Sequence, residues 1–324
     1  MKQALLILGS LPPPIGGVTI HVKRLLEFLE KKSISYSFLN LKTSLRIILV
    51  SILKYDVIHL HCSNVYFRCF ISIYCFIFQK KLIITFHGNI GRYNKFKNFL
   101  DYVSIYFTYI PIVLNSCSLK KALRINKKAR LISSFIPPQQ NECLLESIRV
   151  QIDQLRQKYI LLCSTNAFAF STDKDHNEIY GIIPLIKLFK MRPKDCLIVS
   201  DPSGQYSQYV KNKQIDISSN VVFISYPHSY YALLKEVDCM IRNTTTDGDA
   251  LSIKEALFVG KFVCATDVVN RHSAVNTYHT LNELNSLLNN LKDYSRRIDD
   301  LSGEKELLLL YKELYLYETN YTRS

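Results

Sequence analysis

Glycine and proline are scarce in this chain, at 10 residues each among 324, and they are scattered along it. No long flexible linker is therefore visible, and nothing in the composition indicates disorder. The length exceeds that of one ordinary domain and suits two domains of roughly 150 residues each. An apolar fraction of 48% is enough to fill two buried cores.

The nine cysteines contain no CxxC pair, which argues against the usual cysteine-based zinc sites. Cys69, Cys163 and most of the others lie inside apolar runs, as is typical of small buried side chains. The N-terminal apolar run, Ala4 to Leu8, is followed by three prolines, so we do not expect an export signal. An odd number of cysteines without such a signal favours a reducing cytoplasm.

Apolar runs of membrane-spanning length are missing as well. The strongest run is Cys69 to Phe78, bounded by Arg68 and Lys80-Lys81, and a span needs about 20 apolar residues. Two interpretations of this run stay open. It is either a buried helix or a helix that lies in a membrane interface between its flanking cations.

Acidic residues are nearly absent from the first half. Residues 1–140 hold 20 Lys and Arg against 4 Asp and Glu, whereas the remainder holds 21 against 23. The basic residues are not interleaved with RNA-binding aromatic motifs, so nucleic acid is not an expected partner. An anionic membrane surface, an anionic substrate and a merely basic surface remain as explanations.

Short β-branched runs alternate with helical patterns in two successive halves, which predicts βαβ units and parallel sheets. We expect an α/β chain of two doubly wound, Rossmann-like domains, residues 1–140 and 141–305, with the active site in the cleft between them. A helical pattern fills 281–319. Residues 306–324 are expected to form a C-terminal helix, with packing back toward the N-terminal domain as one arrangement left open.

Candidate ligand-binding residues in the first half follow its strands. Gly16-Gly17 forms a turn between the first strand and the first helix, where a ligand can approach the backbone closely. His59 lies within the third strand, which favours a structural role. His87 ends the next strand beside Gly88, which favours a functional one.

The strongest candidate in the second half is the loop that follows Arg242. Asp247 and Asp249 lie in this loop, and Asp249 is suited to cap a helix beginning near Ala250. Such a helix start offers N–H groups to a phosphate, and Asp247 and Glu255 could accept hydrogen bonds from sugar or ribose hydroxyls. The alternative is that both aspartates only cap the helix and Glu255 is a solvated helix residue.

Four segments in this order resemble the retaining glycosyltransferase family 4 of the GT-B fold, a family with many bacterial polysaccharide transferases. They are Pro14-Ile15-Gly16-Gly17-Val18 with His21, Asp56-Val57-Ile58-His59-Leu60-His61, Thr85-Phe86-His87-Gly88, and Asp247 to Leu257 followed by Gly260 and Ala265-Thr266-Asp267. The last segment resembles the E-x7-E segment of that family, with Asp247 and Glu255 at the two acidic positions. The match covers most of the chain.

The resemblance implies a role for each matched position. Gly16 and Gly17 would lie near the donor phosphate and acceptor, and His87 would contact the transferred sugar or stabilise charge. Asp247 would contact hydroxyls of the donor sugar, and Glu255 would bind the ribose. The donor-binding stretch would comprise Gly248, Asp249, Ala250, Leu251 and Ser252, with the N–H groups around Ala250–Ser252 holding the diphosphate. The implied reaction retains anomeric configuration and needs no metal or other cofactor.

The chain departs from the family in two places. Asp247 replaces the usual Glu, which shortens the reach of the carboxylate by one methylene. The loop after the first strand of the second domain lacks a clear counterpart of the family's Arg and Lys, since Lys174 need not align. We expect Arg242 and Arg271 to supply the missing charge and Asn166 to line the pocket.

The expected function is therefore transfer of a sugar from a nucleotide-sugar donor to a lipid-linked oligosaccharide acceptor, in surface polysaccharide or O-antigen assembly. The basic first half would bind the acceptor at the anionic inner face of the cell membrane, which predicts a cytoplasmic, peripheral protein. Other enzymes of the GT-B fold, a nucleotide-sugar epimerase or a phosphorylase, are one alternative. A non-catalytic partner protein of the same fold is another.

Overall fold

A computed structural model describes residues 5–167, 169–173, 175–291 and 297–321 of the chain. The chain forms two compact units, which are unit 1, residues 1–139 with 302–324, and unit 2, residues 140–301. Lys174, one candidate for the diphosphate grip, lies outside the described residues. No helix in the described ranges has the length and apolarity needed to cross a bilayer.

Unit 1 is built around a six-stranded parallel sheet in the order β2-β1-β3-β4-β5-β6. Its strands are β1 (Leu5–Gly9), β2 (Ser37–Asn40), β3 (Val57–His61), β4 (Lys81–Phe86), β5 (Ile110–Val113) and β6 (Arg130–Leu131). Its first five helices are α1 (Gly17–Lys31), α2 (Leu45–Lys54), α3 (Val65–Ile77), α4 (Lys95–Phe107) and α5 (Ser116–Leu123). The strand order reverses between β1 and β3, which is where doubly wound sheets bind ligands.

Alternation of side chains along β1 divides the core of unit 1 into two layers. Leu5 and Ile7 pack on one face of the sheet with α1, whereas Leu6 and Leu8 pack on the other face with α2 and α3. Successive strand residues point to opposite faces, so a fully apolar strand is covered on both sides. The helices contribute apolar stripes inward, and Arg24 of α1 and Arg68 of α3 are buried with them.

Unit 1 also contains the last helix of the chain, α12 (Glu304–Tyr321). Leu307, Leu310 and Tyr311 of this helix pack against the core layer that contains α1. Spacing of three and four residues places these side chains on one helical face. The uninterrupted helical pattern predicted for 281–319 is wrong, because residues 297–303 are not helical and α12 begins after them.

Unit 2 repeats the plan with a sheet in the order β12-β11-β10-β7-β8-β9, again all parallel. Its strands are β7 (Leu161–Asn166), β8 (Asp195–Ser200), β9 (Val221–Ile224), β10 (Cys239–Arg242), β11 (Phe262–Thr266) and β12 (Asn276–Tyr278). Its helices are α6 (Glu146–Lys158), α7 (Ile182–Lys190), α8 (Gln205–Asn212), α9 (Tyr230–Lys235), α10 (Leu251–Phe258) and α11 (Leu281–Asn289). The strand order reverses between β7 and β10.

The predicted α/β fold with two doubly wound, Rossmann-like halves is confirmed by these two parallel sheets. The sequence patterns missed β6, α8 and β12. Two of these are very short, β6 with two residues and β12 with three, and they carry too few side chains for a period to show. The polar helix α8 has a weak apolar stripe that buries only Tyr206 and Val210.

Candidate functional site

The two central strands of unit 2 end on residues singled out from the sequence. Asn166 is the last residue of β7 and Arg242 is the last residue of β10, and these two strands are neighbours. They flank the reversal of strand order, where ligands bind at the carboxyl ends of parallel strands. The Oδ1 atom of Asn166 is buried and accepts no hydrogen bond from any described residue. This edge of the sheet therefore presents both an acceptor and a cation.

Asp247 binds two guanidinium groups at this edge. Arg242 donates through Nε at 3.1 Å and Nη2 at 3.0 Å, and Arg271 donates through Nη1 at 2.9 Å. Burial alone would raise the pKa of Asp247, but the charges and hydrogen bonds of Arg242 and Arg271 outweigh it and hold that pKa below its usual value. The carboxylate is therefore ionised at neutral pH, and two cations against one anion leave the trio with one positive charge.

Arg271 has donor capacity that the described residues do not use. Its Nε donates to the Thr266 carbonyl at 3.2 Å, while its Nη2 is buried without an acceptor among the described residues. The side chain is only 4% exposed, so water cannot freely solvate that N–H group. A buried unpaired donor costs about 1–3 kcal/mol, more when it is charged. An anionic oxygen bound here would remove that cost.

The helix that follows the loop begins without a side-chain cap. Ala250 occupies the N-cap position of α10 and no side chain accepts from its first turn. The prediction that Asp249 caps this helix is therefore wrong, because its carboxylate instead accepts from Lys254 Nζ at 2.5 Å. The backbone N–H groups of Leu251 and Ser252 lie at the positive end of the helix and can bind an anion.

Glu255 is buried, with 5% of its surface exposed, so it is not the solvated helix residue of the alternative interpretation. Its charge faces the buried phenol of Tyr230, whose pKa is raised by burial and by Glu255. Tyr230 also shares a hydrogen bond of 3.1 Å with Ser164 of β7. A buried carboxylate on the helix that follows Asp247 is a candidate ligand-binding acid.

Two tyrosines at this site were not singled out from the sequence. The guanidinium of Arg242 lies over the ring of Tyr180, with 5.2 Å between its Cζ and the ring centroid. Tyr278 donates to Asn243 Oδ1 at 2.9 Å, and Asn243 in turn donates to the Gly181 carbonyl at 2.8 Å. With 21 tyrosines in the chain, residue type alone offered no signal for these two.

Unit 1 gathers histidines at the corresponding edge of its own sheet. His61 ends β3, His87 follows β4 directly, and His21 lies one turn into α1. The ring centroid of His21 lies 5.0 Å from that of His61 and 5.1 Å from that of His87. His61 Nδ1 and His87 Nε2 are 3.2 Å apart. The glycine turn of Gly16 and Gly17 leads into this helix, so the structure brings the first-half candidates together.

Burial keeps these histidines neutral. It lowers the pKa of His21 to about 4, against the raising effect of the Ser134 carbonyl, to which Nδ1 donates at 2.7 Å. Burial also holds the pKa values of His61 and His87 well below their ordinary value. The Nε2 atoms of His21 and His61 are buried and meet no hydrogen-bond partner in the described part of unit 1.

Two hydroxyl groups position His59, which has a structural role in the core. Its Nδ1 is 2.6 Å from the hydroxyl of Tyr311 on α12, and its Nε2 is 2.8 Å from that of Thr85 on β4. Burial lowers its pKa to about 3. Both ring nitrogens are thus satisfied inside the protein, as the structural interpretation of this residue expected.

One nitrogen from each of His21, His61 and His87 lies within 4.8 Å of the other two, a spacing that could hold a metal ion. The charges around the cluster oppose a cation, however. Arg24 faces His21, and both Arg68 and Arg92 face His87 closely enough to lower its pKa. A divalent ion would have to bind among these guanidinium groups, which favours an anionic or hydroxylated ligand instead.

The remaining predicted residues lie at the helix and loop starts. Gly16 is the N-cap of α1 and donates to Thr19 Oγ1 at 3.1 Å, and a Cβ added at Gly17 would meet no atom within 4 Å. The space beside Gly17 is therefore open. Gly248 donates its backbone N–H to Asp247 Oδ1 at 3.0 Å, and Ser252 is buried in the first turn of α10.

Several solved structures have the same fold as this chain. HepE of Anabaena in complex with UDP-glucose is 13% identical over 98% of this chain and 99% of its own, with a TM-score of 0.66. Sucrose-phosphate synthase from Thermosynechococcus elongatus is 14% identical over 99% and 100%, with a TM-score of 0.62. UDP-GlcNAc 2-epimerase from Methanocaldococcus jannaschii is 12% identical over 95% and 99%, with a TM-score of 0.61.

No protein-family model and no curated protein sequence matches the chain. At identities of 12–14% the likeness to these structures establishes the fold alone. The chain has the α/β fold of two Rossmann-like domains that GT-B glycosyltransferases share.

Proposed function

We propose that this protein is a nucleotide-sugar-dependent glycosyltransferase of retaining family 4, acting in surface polysaccharide or O-antigen assembly. The observation that carries the proposal is the trio of Arg242, Asp247 and Arg271 at the carboxyl end of β10. This trio carries one net positive charge and an unpaired buried guanidinium N–H, and the uncapped start of α10 follows it in the chain. Such a set of fixed donors suits a diphosphate.

The same geometry supports a chemical role for these donors. Cleavage of the bond between sugar and diphosphate leaves negative charge on the departing nucleotide. Preorganised cations and helix N–H groups stabilise that charge without moving. Arg242, Arg271 and the N–H groups around Ala250–Ser252 would supply this effect, which is why the proposed transfer needs no metal ion. Turnover should therefore survive an excess of EDTA.

Asp247 has a narrower role in this proposal than the resemblance implied. Its carboxylate already accepts three N–H groups from the two arginines and one from Gly248. A carboxylate offers about four lone-pair sites. A sugar hydroxyl would have to displace one of these donors, so Asp247 acts first by positioning the guanidinium groups. Glu255 remains the acid proposed to accept from the ribose.

A screen with UDP-, GDP-, ADP- and dTDP-sugars tests the proposal. One donor should be hydrolysed slowly without acceptor, and its nucleoside diphosphate should raise the unfolding temperature in a concentration-dependent manner. Retention should appear as an unchanged anomeric configuration in the product by NMR. Loss of stabilisation by every nucleoside diphosphate would reject the proposal and favour a non-catalytic protein of this fold.

A nucleotide-sugar epimerase is the second candidate, because solved epimerases share the fold. Besides the archaeal enzyme, a putative UDP-N-acetylglucosamine 2-epimerase from Listeria monocytogenes is 12% identical over 97% of both chains, with a TM-score of 0.61. An epimerase would convert its nucleotide sugar without an acceptor and leave the sugar attached. A phosphorylase would instead depend on free phosphate, so the same screen separates these activities.

A membrane contact of unit 1 is the second part of the proposal, and α2, α3 and α4 carry it. These helices lie side by side, since Tyr74 of α3 donates to the Leu49 carbonyl of α2 and Phe76 of α3 packs on Phe107 of α4. Of the 22 large apolar side chains exposed in the described residues, 13 lie on these three helices or the residue after α3. They are Leu45, Ile47, Val50, Leu53, Tyr66, Phe70, Phe76, Ile77, Phe78, Phe96, Phe99, Tyr102 and Tyr106. We call this set the α2–α4 face.

Basic residues border the α2–α4 face. Lys54 ends α2, Lys80 follows α3, and Lys95 and Lys97 lie in the first turn of α4. Aromatic and apolar side chains flanked by lysines suit the interface of a bilayer with anionic lipids. Both interpretations of the run Cys69–Phe78 fit this helix. On one side α3 buries Cys69, Ile71 and Cys75, and on the other it exposes aromatic residues. We propose that this face binds the inner membrane surface, where a lipid-linked acceptor would lie.

A further inference from the structure

Two cations, Arg92 of the loop between β4 and α4 and Lys121 of α5, lie against two glycines of that loop. A Cβ added at Gly88 would lie 2.2 Å from Cζ and Nη1 of Arg92, so the guanidinium lies flat against the Gly88 backbone. A Cβ at Gly91 would lie 2.9 Å from Nζ of Lys121, which donates to the Ile90 carbonyl at 2.8 Å. Glycine at these positions allows both cations to approach the backbone of one loop.

The described acids of residues 1–140 form no ion pair with these two cations. Residues 1–140 contain four acidic residues, and each has another partner. They are Glu27 with Lys23, Glu30 with the Tyr36 hydroxyl, Asp56 with Lys80, and Asp101 with Arg68. Among the described residues, Arg92 donates to the hydroxyl of Tyr93 and forms no ion pair. Placed cations without an anion indicate a site for an anionic ligand.

We propose that Arg92 and Lys121, together with His87, bind a phosphate or diphosphate group at the carboxyl end of β4. The guanidinium of Arg92 lies against Gly88, the residue after His87, and the His87 ring contacts the buried His21 and His61. A guanidinium presents paired N–H groups to phosphate oxygens, and an ammonium adds a compact charge. The chemistry rests on this loop and on Lys121 of α5, whereas the source of the phosphate rests on the proposed function.

Calorimetric titration with inorganic pyrophosphate tests the site in the full chain carrying Arg242→Ala, which removes one of the two guanidinium groups of the proposed site in unit 2 and so its net positive charge. This parent should bind pyrophosphate, and Arg92→Gln should weaken binding about tenfold through loss of charge-assisted hydrogen bonds. Gly88→Ala should weaken it similarly, because the new methyl group displaces the guanidinium. Lys95→Gln removes one positive charge at the start of α4 and should change the affinity less than about twofold.

The source of the phosphate is decided in chains that keep Arg242. If Arg92→Gln lowers the affinity for UDP, the group belongs to the donor. If it lowers the affinity for a polyprenyl phosphate in detergent micelles and leaves UDP binding unchanged, the group belongs to the acceptor. Absence of pyrophosphate binding in the parent, or equal affinities in the parent, Arg92→Gln and Gly88→Ala, would overturn the site even if unit 2 binds nucleotides.

Discussion

Unit 1 and unit 2 share a plan of six parallel strands but place their charges differently. Unit 2 pairs cations with acids at its strand ends, as Arg242 and Arg271 do with Asp247. Unit 1 keeps neutral histidines at the corresponding edge of its own sheet, and its described residues form no ion pair with Arg92 or Lys121. It also exposes most of the large apolar side chains found on the described surface.

This contrast suits the two kinds of binding proposed for the two units. Paired charges hold a guanidinium in a fixed orientation, which suits a leaving group whose charge develops during reaction. Unpaired cations attract an anion from solution but orient it less, which suits binding at a charged surface. The sheet positions both sets at strand ends, and the side chains decide what each edge binds.

The largest expected effect comes from Arg242→Ala in unit 2. Loss of a fixed donor to a developing negative charge reduces turnover by about 10²–10³-fold. The matched control is Arg156→Ala, because Arg156 pairs with Asp238 at the amino end of the same strand. Steady-state donor turnover, with circular dichroism to confirm folding, gives the comparison. Equal turnover in the two variants would contradict the assignment of the site to the carboxyl end of β10.

Glu255→Gln should have a smaller effect, through donor binding. The buried amide keeps the volume of the side chain but donates where the carboxylate is proposed to accept from the ribose, so KM for the donor should rise by about tenfold. Glu146→Gln, on α6 of the same unit and 81% exposed in its side chain, is the control. A fall in kcat with unchanged KM would show instead that Glu255 acts on the reacting atoms.

Substitutions in the two units should also differ in their effect on membrane binding. Replacing Phe96 and Phe99 of the α2–α4 face by serine should weaken binding to vesicles with anionic lipid by about tenfold, because each exposed aromatic contributes apolar contact in the interface. The matched pair in unit 2 is Leu145→Ser with Val150→Ser, which are also exposed. Co-sedimentation with vesicles measures the binding of both double variants. If the two bind equally well, the membrane contact lies elsewhere.

The smallest expected effect is on pH-dependent stability. The pKa of His21 is lowered to about 4 in the folded protein, so the unfolded chain binds more protons between pH 6.5 and that value. Stability from this residue is therefore present above about pH 6.5 and falls on acidification, by roughly 1.4 kcal/mol per pH unit at most. The lowered pKa of Asp247 affects stability only below its ordinary value of 3.8, outside this window.

Thermal unfolding between pH 7 and pH 5 measures this dependence. His21→Leu should flatten the fall in unfolding temperature by a few degrees, since one group no longer takes up a proton on unfolding. The same change at His279 of unit 2, whose side chain is 78% exposed, should leave the slope unaltered. His59, His61 and His87 of unit 1 and His228 of unit 2, whose pKa values burial also lowers, account for the remaining slope. Identical slopes in both variants would show that His21 is not neutral in the fold.

Local periodicity was enough to predict most strands and helices, because a buried strand or an amphipathic helix carries its signal in consecutive residues. It failed where few residues carry the signal, as in β6 and β12. Local periodicity also did not predict the N-cap residue of α10. Asp249 has the side chain of a cap, but Lys254 of the next turn binds its carboxylate, and Ala250 takes the position instead.

The sequence by itself determined the two-domain α/β fold, the excess of cations in the first half, and the candidate acids and arginines of the second. These are properties of residue order and composition, which do not depend on distant contacts. Only the tertiary structure decided that Arg242 and Arg271 converge on Asp247, and that Arg92 and Lys121 lie against Gly88 and Gly91. Arg271 and Asp247 are 24 residues apart, and their pairing arises because β10 and β11 are neighbours in the sheet.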